Sequence, residues 1–311
     1  MPTSRPFRFL AAAFTAPSAA AWVEQARRIE AWGYDVLGIG DHFSTGTLAA
    51  VPALMAAAAA TSTLRVACTV FDNDYRHPAL LAKEAATIDL LSDGRLEFGI
   101  GAGWQKREYD QTGIPFEPAG VRVGRMEEAT RIIKGLWAGG PFSFDGRHYT
   151  IRDLENAPRP VQRPHPPIFI GGGGKRLLGF AAREADSVGL VARALPGGGL
   201  ALAEDSEEEL AEKVGWVREA AGARFARLEL AILIWRVAVT DTPREAAEEI
   251  ARARGRTPEQ VLASPYYLVG SADAIAERLR ALRERHGISH VSVMPPDVEA
   301  FAPVVARLAG R

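Results

Sequence analysis

Short apolar runs rich in β-branched and aromatic residues alternate along the chain with longer stretches whose apolar residues recur at helical spacing. Phe7–Ala13, Val36–Gly40, Leu64–Val70 and Leu96–Ile100 read as the first four strands. A helix with Ser18 as N-cap and Trp22, Val23, Ala26 and Ile29 on one face lies between the first two and ends near Gly33. Ala49–Thr61 and Ala79–Leu91 read as the next helices, the latter with Pro78 in its first turn. Four further strands are expected at Ile168–Ile170, Ser187–Leu190, Leu228–Val239 and Ile288–Met294. Ser206–Ala221 and Ser271–His286 are helical, the second closed by Gly287, and Thr257-Pro258-Glu259-Gln260 has capping-box form. This alternation implies parallel β/α units with right-handed crossovers. Eight strands in 311 residues fit an α/β fold of the (β/α)8 TIM-barrel type better than a doubly wound sheet.

The rhythm breaks between Gly139 and Pro167. Phe142–Tyr149 reads as a hairpin around Asp145-Gly146, and the proline-rich run from Pro158 to Pro167 as an extended surface connection. Residues 139–167 are therefore expected to be an insertion before the fifth strand, within a single domain spanning 1–311.

The stretch from Pro167 to Leu190 carries the first chemical signal. Its apolar strand runs directly into Gly171, Gly172, Gly173 and Gly174, and a helix begins at once, with Leu177, Leu178, Ala181 and Ala182 at helical spacing. Such a turn presents bare N–H groups at a helix N-terminus, where the dipole favours a phosphate. A tight turn without a ligand has the same signature. The spacing is neither the dinucleotide G-x-G-x-x-G nor a P-loop.

Composition narrows the classes. Hydrophobic residues make up 47% and charged residues 24%, as in a soluble globular protein, and the net charge of −1 supplies no field for nucleic acid or an anionic membrane. One cysteine, Cys68, excludes a disulfide framework, and its place in a strand predicts a buried, inert thiol. Phe9–Phe14 is too short for a signal-peptide core, and the alanine run Ala56–Ala60 is too short to span a bilayer. A cytoplasmic protein is expected.

In a barrel of this kind the site is built at the C-terminal ends of the strands. That selects Asp41, His42, Thr69 to Asp74, Ala102 to Glu108, Gly171 to Arg176 and Val191 to Arg193. Asp41-His42 sets a carboxylate beside an imidazole, suited to proton transfer. In the blander alternative Asp41 caps the following helix and His42 merely packs. The histidines show no metal-ligand spacing, and no G-x-S-x-G elbow is present. A barrel with a phosphate-type glycine turn but neither metal nor covalent nucleophile points to a bound organic cofactor.

The residues themselves resemble the bacterial-luciferase-like flavin and deazaflavin oxidoreductases, over nearly the whole chain. The resemblance rests on Arg76 to Trp104 (R-H-P-A-L-L-A-K-E-A-A-T-I-D-L-L-S-D-G-R-L-E-F-G-I-G-A-G-W), Glu108 to Phe116, Arg122 to Trp137, Pro158 to Gly174 and Ala181 to Asp186. It implies a luciferase-like TIM barrel binding coenzyme F420 or FMN, and a homodimer. The Asp41-His42-Phe43 ending of the second strand resembles the F420-dependent members, which often hold a non-proline cis bond that here would fall at Thr69-Val70. Carried over by position, Gly173, Gly174, Arg176 and Leu177 surround the cofactor phosphate, with Gly171 and Gly172 shaping the turn. Asp41, Thr69, Val70, Asp72, Ala102 and Gly103 line the ring and side chain, and Arg107 occupies the position of a polar cofactor contact. His42 is the proton donor or acceptor.

Two departures bear on the substrate. The family's sugar-phosphate dehydrogenases carry a carboxylate where this chain has Trp104, and a lysine where it has Ala194, beside Arg193. Trp104 and Arg193 thus become the substrate-side residues, and a flat, weakly charged substrate is expected. The implied activity is hydride exchange between F420 and a small organic substrate, with reduction of an activated C=C or C=N bond. The alternatives are an FMN-dependent two-component monooxygenase and a non-catalytic flavin- or deazaflavin-binding protein.

Overall fold

The computed structural model describes residues 5–44 and 47–311. Eight parallel strands close a barrel in chain order: β1 (Arg8–Ala12), β2 (Val36–Ile39), β3 (Arg65–Asp72), β4 (Leu96–Gly101), β5 (Ile168–Gly172), β6 (Ser187–Leu190), β7 (Glu229–Ile234) and β8 (Ile288–Val293), with β8 returning to β1. The strands read as near-continuous apolar runs because both faces are covered, by the helices outside and by one another within. Cys68, on β3, is fully buried, and burial holds its thiol well above its ordinary pKa. No helix among the described residues is long and apolar enough to cross a membrane.

The local signals that place the helices are realised. Ser18 caps Ala19–Ala31, and His77 and Pro78 open Pro78–Leu91. Ser206 and Thr257 each form complete capping boxes, and Gly287 closes Ala272–His286 in the left-handed region.

Two elements differ from the sequence expectation. The apolar run Leu228–Val239 is not one strand. It leaves the barrel at Trp235, whose N–H bonds to the Tyr266 carbonyl, and Arg236–Val239 then pairs in parallel with Tyr267–Gly270 as a separate two-stranded sheet. Asp297 fixes the break by accepting from Val237 N at 2.6 Å and Arg236 Nε at 3.0 Å. Hydrophobicity alone cannot register such a change of sheet. The hairpin, for its part, pairs Phe142–Asp145 with Thr150–Leu154 across a loop of residues 146–149, rather than turning tightly at Asp145-Gly146. The loop is opened by Glu128, on helix Ala119–Ala138, which accepts the backbone N–H groups of Arg147, His148 and Tyr149.

Inside the barrel the two ends differ in chemistry. At the N-terminal end of the strands, Arg8 pairs with Glu97 and with Glu229 (3.1 Å), Arg65 pairs with Glu97 (2.7 Å), and His290 pairs with Glu229 (3.1 Å). Toward the C-terminal end β3 and β4 approach each other closely. A Cβ at Gly99 would fall 2.1 Å from the Cys68 carbonyl oxygen and 3.2 Å from Val70 Cγ1, and one at Gly101 would fall 2.4 Å from Val70 Cγ2. Glycines on β4 thus make room for β3 where its register shifts between Cys68 and Phe71. The Thr69–Val70 peptide there is cis.

Candidate active site

A cleft of about 410 Å³ opens at the C-terminal mouth of the barrel, between the ends of β3, β4, β5 and β6. Its floor and one wall are Val70, Ala102, Gly103 and Trp104, and the opposite wall is the glycine turn Gly171–Gly174 with Arg176 and Leu177. Arg193 and Ala194 border it on the β6 side.

Within the turn the glycines have different reasons to be there. A Cβ on Gly173 would lie 2.5 Å from the Arg193 backbone nitrogen, and one on Gly172 would lie 2.6 Å from Leu177 Cδ2. Close approach of neighbouring chain therefore requires Gly173, whereas Gly172 faces a side chain that can move. Around Gly174 no protein atom lies within 4 Å of an added Cβ. Gly174 is the N-cap of helix Lys175–Glu184, no side chain caps it, and its first turn carries Lys175 and Arg176 but no acid. Free N–H groups and open space at the positive end of a helix dipole make an anion cradle, while Lys175 and Arg176 beside it are paired with Glu219 at 3.6 Å and Glu127 at 3.2 Å.

The G-A-G-W turn after β4 is fixed from below. Arg122 is buried and donates from Nε to the Ala102 carbonyl at 3.0 Å and from Nη2 to the Gly103 carbonyl at 3.3 Å. Gly103 is required outright, with φ +72° and a would-be Cβ 1.9 Å from the Tyr109 hydroxyl.

His42 does not itself line the cleft but packs against Trp104, which does. Its ring sits edge-on to Trp104 at 5.8 Å between centroids, and its Nδ1 lies 3.0 Å from Glu108 Oε2. Glu108 is almost wholly buried on the short helix Lys106–Thr112 and also accepts from Ser44 Oγ (2.5 Å), Tyr75 Oη (3.0 Å) and Gln105 Nε2 (3.1 Å). Burial alone raises the pKa of such a carboxyl, but the donations from Ser44, His42 and Tyr75 outweigh it and hold Glu108 below the usual carboxylate range. An ionised carboxylate only accepts, so Nδ1 of His42 carries the hydrogen and Nε2 is left for proton exchange.

Of the other polar residues chosen from sequence, Arg176 and Arg193 line the cleft, whereas Asp41, Thr69, Asp72 and Arg107 do not. Asp41 does not cap the following helix, which begins at Ala50 with no side-chain cap. Its carboxylate is instead forked by the Arg76 guanidinium and accepts from Asp72 N at 3.2 Å. Asp72 is buried and accepts from the Tyr109 hydroxyl at 2.9 Å. Burial, with the charges of Asp74 and Asp41, pushes its pKa up to about 7 against these hydrogen bonds. Thr69 is half-buried on β3, and Arg107 is exposed on the outer face of its short helix. Arg193 borders the cleft, but its guanidinium is paired with Glu204.

Sequence reasoning left Glu108, Tyr75 and Arg122 without roles. Glu108 and Tyr109 are the buried pair in an otherwise polar helix K-R-E-Y-D-Q-T. A carboxylate on the apolar side of so short a helix was the available signal.

The fold and cleft define a (β/α)8 barrel with an open cleft at its C-terminal mouth, and comparison with known proteins places the chain within one family. Residues 4–266 match the luciferase-like monooxygenase family, and the chain belongs to it. Among curated relatives, it is 39% identical over 128 residues to the FMNH2-dependent dimethylsulfone monooxygenase of Pseudomonas putida, covering 41% of this chain and 35% of that protein. It is 30% identical over 174 residues to the F420-dependent glucose-6-phosphate dehydrogenase of Amycolatopsis mediterranei, covering 53% and 51% respectively. The chain thus spans about half or less of the length of these relatives. Among solved structures, an F420-dependent secondary alcohol dehydrogenase in complex with an F420–acetone adduct superposes with a TM-score of 0.79 at 20% identity, covering 97% of this chain and 98% of that one. The long-chain alkane monooxygenase LadA gives 0.78 at 16% identity, covering 98% and 91%. These likenesses establish the fold. The family holds both F420-dependent and FMN-dependent members.

Proposed function

We propose that the chain is a coenzyme F420-dependent oxidoreductase that exchanges hydride with a small, weakly charged organic substrate, in the direction of reducing an activated C=C or C=N bond. The observation that carries this reading is His42, oriented through Nδ1 by buried Glu108 and packed against Trp104, which lines a cleft whose far wall is an uncapped glycine turn.

The residues present fit the coenzyme. Gly173, Gly174, Arg176 and Leu177 would hold its phosphate, with Gly171 and Gly172 shaping the turn. Val70, Ala102 and Gly103 would flank its ring. When bound, a deazaflavin supplies a hydride and activates oxygen poorly. Once protonated on both nitrogens, His42 would deliver the matching proton from Nε2 to the substrate, return to the Nδ1–H form that Glu108 holds, and take a proton back from solvent. Trp104 walls the substrate space with an apolar face, beside Arg193, whose guanidinium is engaged by Glu204. That favours an uncharged substrate. Asp41 and Asp72 would act behind the cleft, Asp41 by holding Arg76 and Asp72 by anchoring Tyr109 under the Gly103 turn.

The second reading is an FMN-dependent monooxygenase, because a glycine turn holds a monophosphate as readily as a phosphodiester and the Pseudomonas putida relative is FMNH2-dependent by name. Titration of the purified protein with each cofactor separates the two. The proposal expects tight F420 binding and F420-dependent turnover; FMN binding with no affinity for F420 would overturn it.

A further inference from the structure

The segment that follows β6 lines two cavities. Arg193, Ala194 and Leu200 border the cleft already described, whereas Leu202 and Ala203 border a second cavity of about 290 Å³. Elements that the first cleft does not touch complete the second one. They are Trp235 at the break after β7, the turn Arg254-Gly255-Arg256 that closes helix Pro243–Arg254, and Gln260 and Tyr267 beyond it.

Most of the polar groups here are engaged in building the walls. Arg256 donates to the Leu202 carbonyl at 2.8 Å and pairs with Asp205 at 2.9 Å, and Ser264 Oγ donates to the Asp205 carbonyl at 2.7 Å. Gln260 Oε1 accepts from Thr257 N within the capping box. Arg254 is the exception. It is exposed at the helix end, and among the described residues no carboxylate lies within salt-bridge distance of it. The lining itself contains no Asp or Glu. Tyr267 is buried, and burial with the charge of Asp205 holds its hydroxyl above the usual pKa against Arg254 and Arg256, so it stays an O–H donor.

The cavity thus combines an unmatched guanidinium and a phenol with the ring of Trp235, in a space at the small end of ligand sites. Two arginines and no acid disfavour a cation. A bare inorganic anion would leave the aromatic wall unused, whereas a carboxylate matches the fork of an arginine and a flat ring matches an indole. We infer that this cavity is a second binding site, separate from the cofactor cleft, for a small aromatic carboxylate. Arg254 takes the carboxylate and Trp235 flanks the ring. The inference holds whichever cofactor occupies the first cleft.

Titration of the full chain with 4-fluorobenzoate, followed by the fluorine NMR signal, tests it. Saturable binding with a dissociation constant of about 1–10 mM is expected for so small a ligand, weakening as salt is raised. 4-Fluorobenzyl alcohol, which keeps the ring but not the charge, should bind more weakly. Arg254→Ala, whose folding is checked by its melting temperature, should weaken 4-fluorobenzoate about three- to fivefold, and Arg254→Lys by less. The double variant Arg176→Ala/Arg193→Ala, which strips the guanidinium groups from the first cleft, should bind it as the wild type does. The inference is overturned by a wild type that shows no saturable binding, by unchanged affinity in Arg254→Ala, or by a loss of affinity in the double variant.

Discussion

Nδ1 of His42 and Oε2 of Glu108 meet at 3.0 Å and tie the loop after β2 to the short helix after β4, 66 residues apart in sequence. Glu108 takes no position in the cleft lining. Its part is to fix the direction in which the imidazole presents its other nitrogen, in concert with Ser44, Tyr75 and Gln105.

Glu108→Gln should therefore lower kcat by about 10²-fold, the size of effect usual for an acid–base group put out of position, with little change in cofactor affinity. Because the two residues act as a unit, His42→Ala combined with Glu108→Gln should be no slower than His42→Ala alone. Steady-state kinetics of the single and double variants check this; multiplicative losses would separate the two roles.

Gly173→Ala and Gly174→Ala should behave differently although they are neighbours. A methyl at Gly173 meets backbone at 2.5 Å and must displace the chain after β6, costing about 1–3 kcal/mol in thermal or denaturant melts. At Gly174 the methyl enters open space, so stability should stay near wild type while affinity for the cofactor falls. Equal effects on both stability and affinity would count against the cradle.

Asp72 makes stability depend on pH. Its folded-state pKa, pushed up to about 7 from an ordinary 3.8, means that the folded protein binds more protons than the unfolded chain between those values. Stability from this group is therefore lost as pH rises through that window, on the order of 1 kcal/mol per pH unit at most. Asp72→Asn, which keeps an acceptor for the Tyr109 hydroxyl, should gain stability relative to wild type at pH 8 but not at pH 4. Denaturant melts across that range check it.

The charged layer at the closed end of the barrel predicts the opposite trend. Glu229 is held at about 2: burial works against ionisation, and His290 and Arg8 overcome it. Its contribution is present above the ordinary glutamate range and lost as pH falls toward 2. Glu229→Ala leaves Arg8 and His290 without this partner in a buried layer and should cost about 3–5 kcal/mol by denaturant melts at pH 7.

Much of the barrel was legible because its strands are fully covered and its helices carry explicit caps at Ser18, Ser206, Thr257 and Ser271. What escaped depended on contacts distant in sequence. The run Leu228–Val239 is uniformly apolar, yet it divides at Trp235 because Tyr266 and Asp297 capture its second half. The hairpin turn widened because Glu128, on another element, claims its amides. At the site, the glycine turn announced itself through composition and lies on the cleft. Asp41 and Asp72 announced themselves as carboxylates at strand ends, and partners that no local pattern reveals, Arg76 and Tyr109, turn them away from it.

The pairing of Val70 with Gly99 and Gly101 makes the floor of the cleft adjustable in one direction only. The glycine side cannot grow without collision, while trimming the isopropyl group to a methyl would sink the base of the chamber toward the bore of the barrel. Any deepening of the cleft from beneath, whether by selection or by engineering, begins at that one valine.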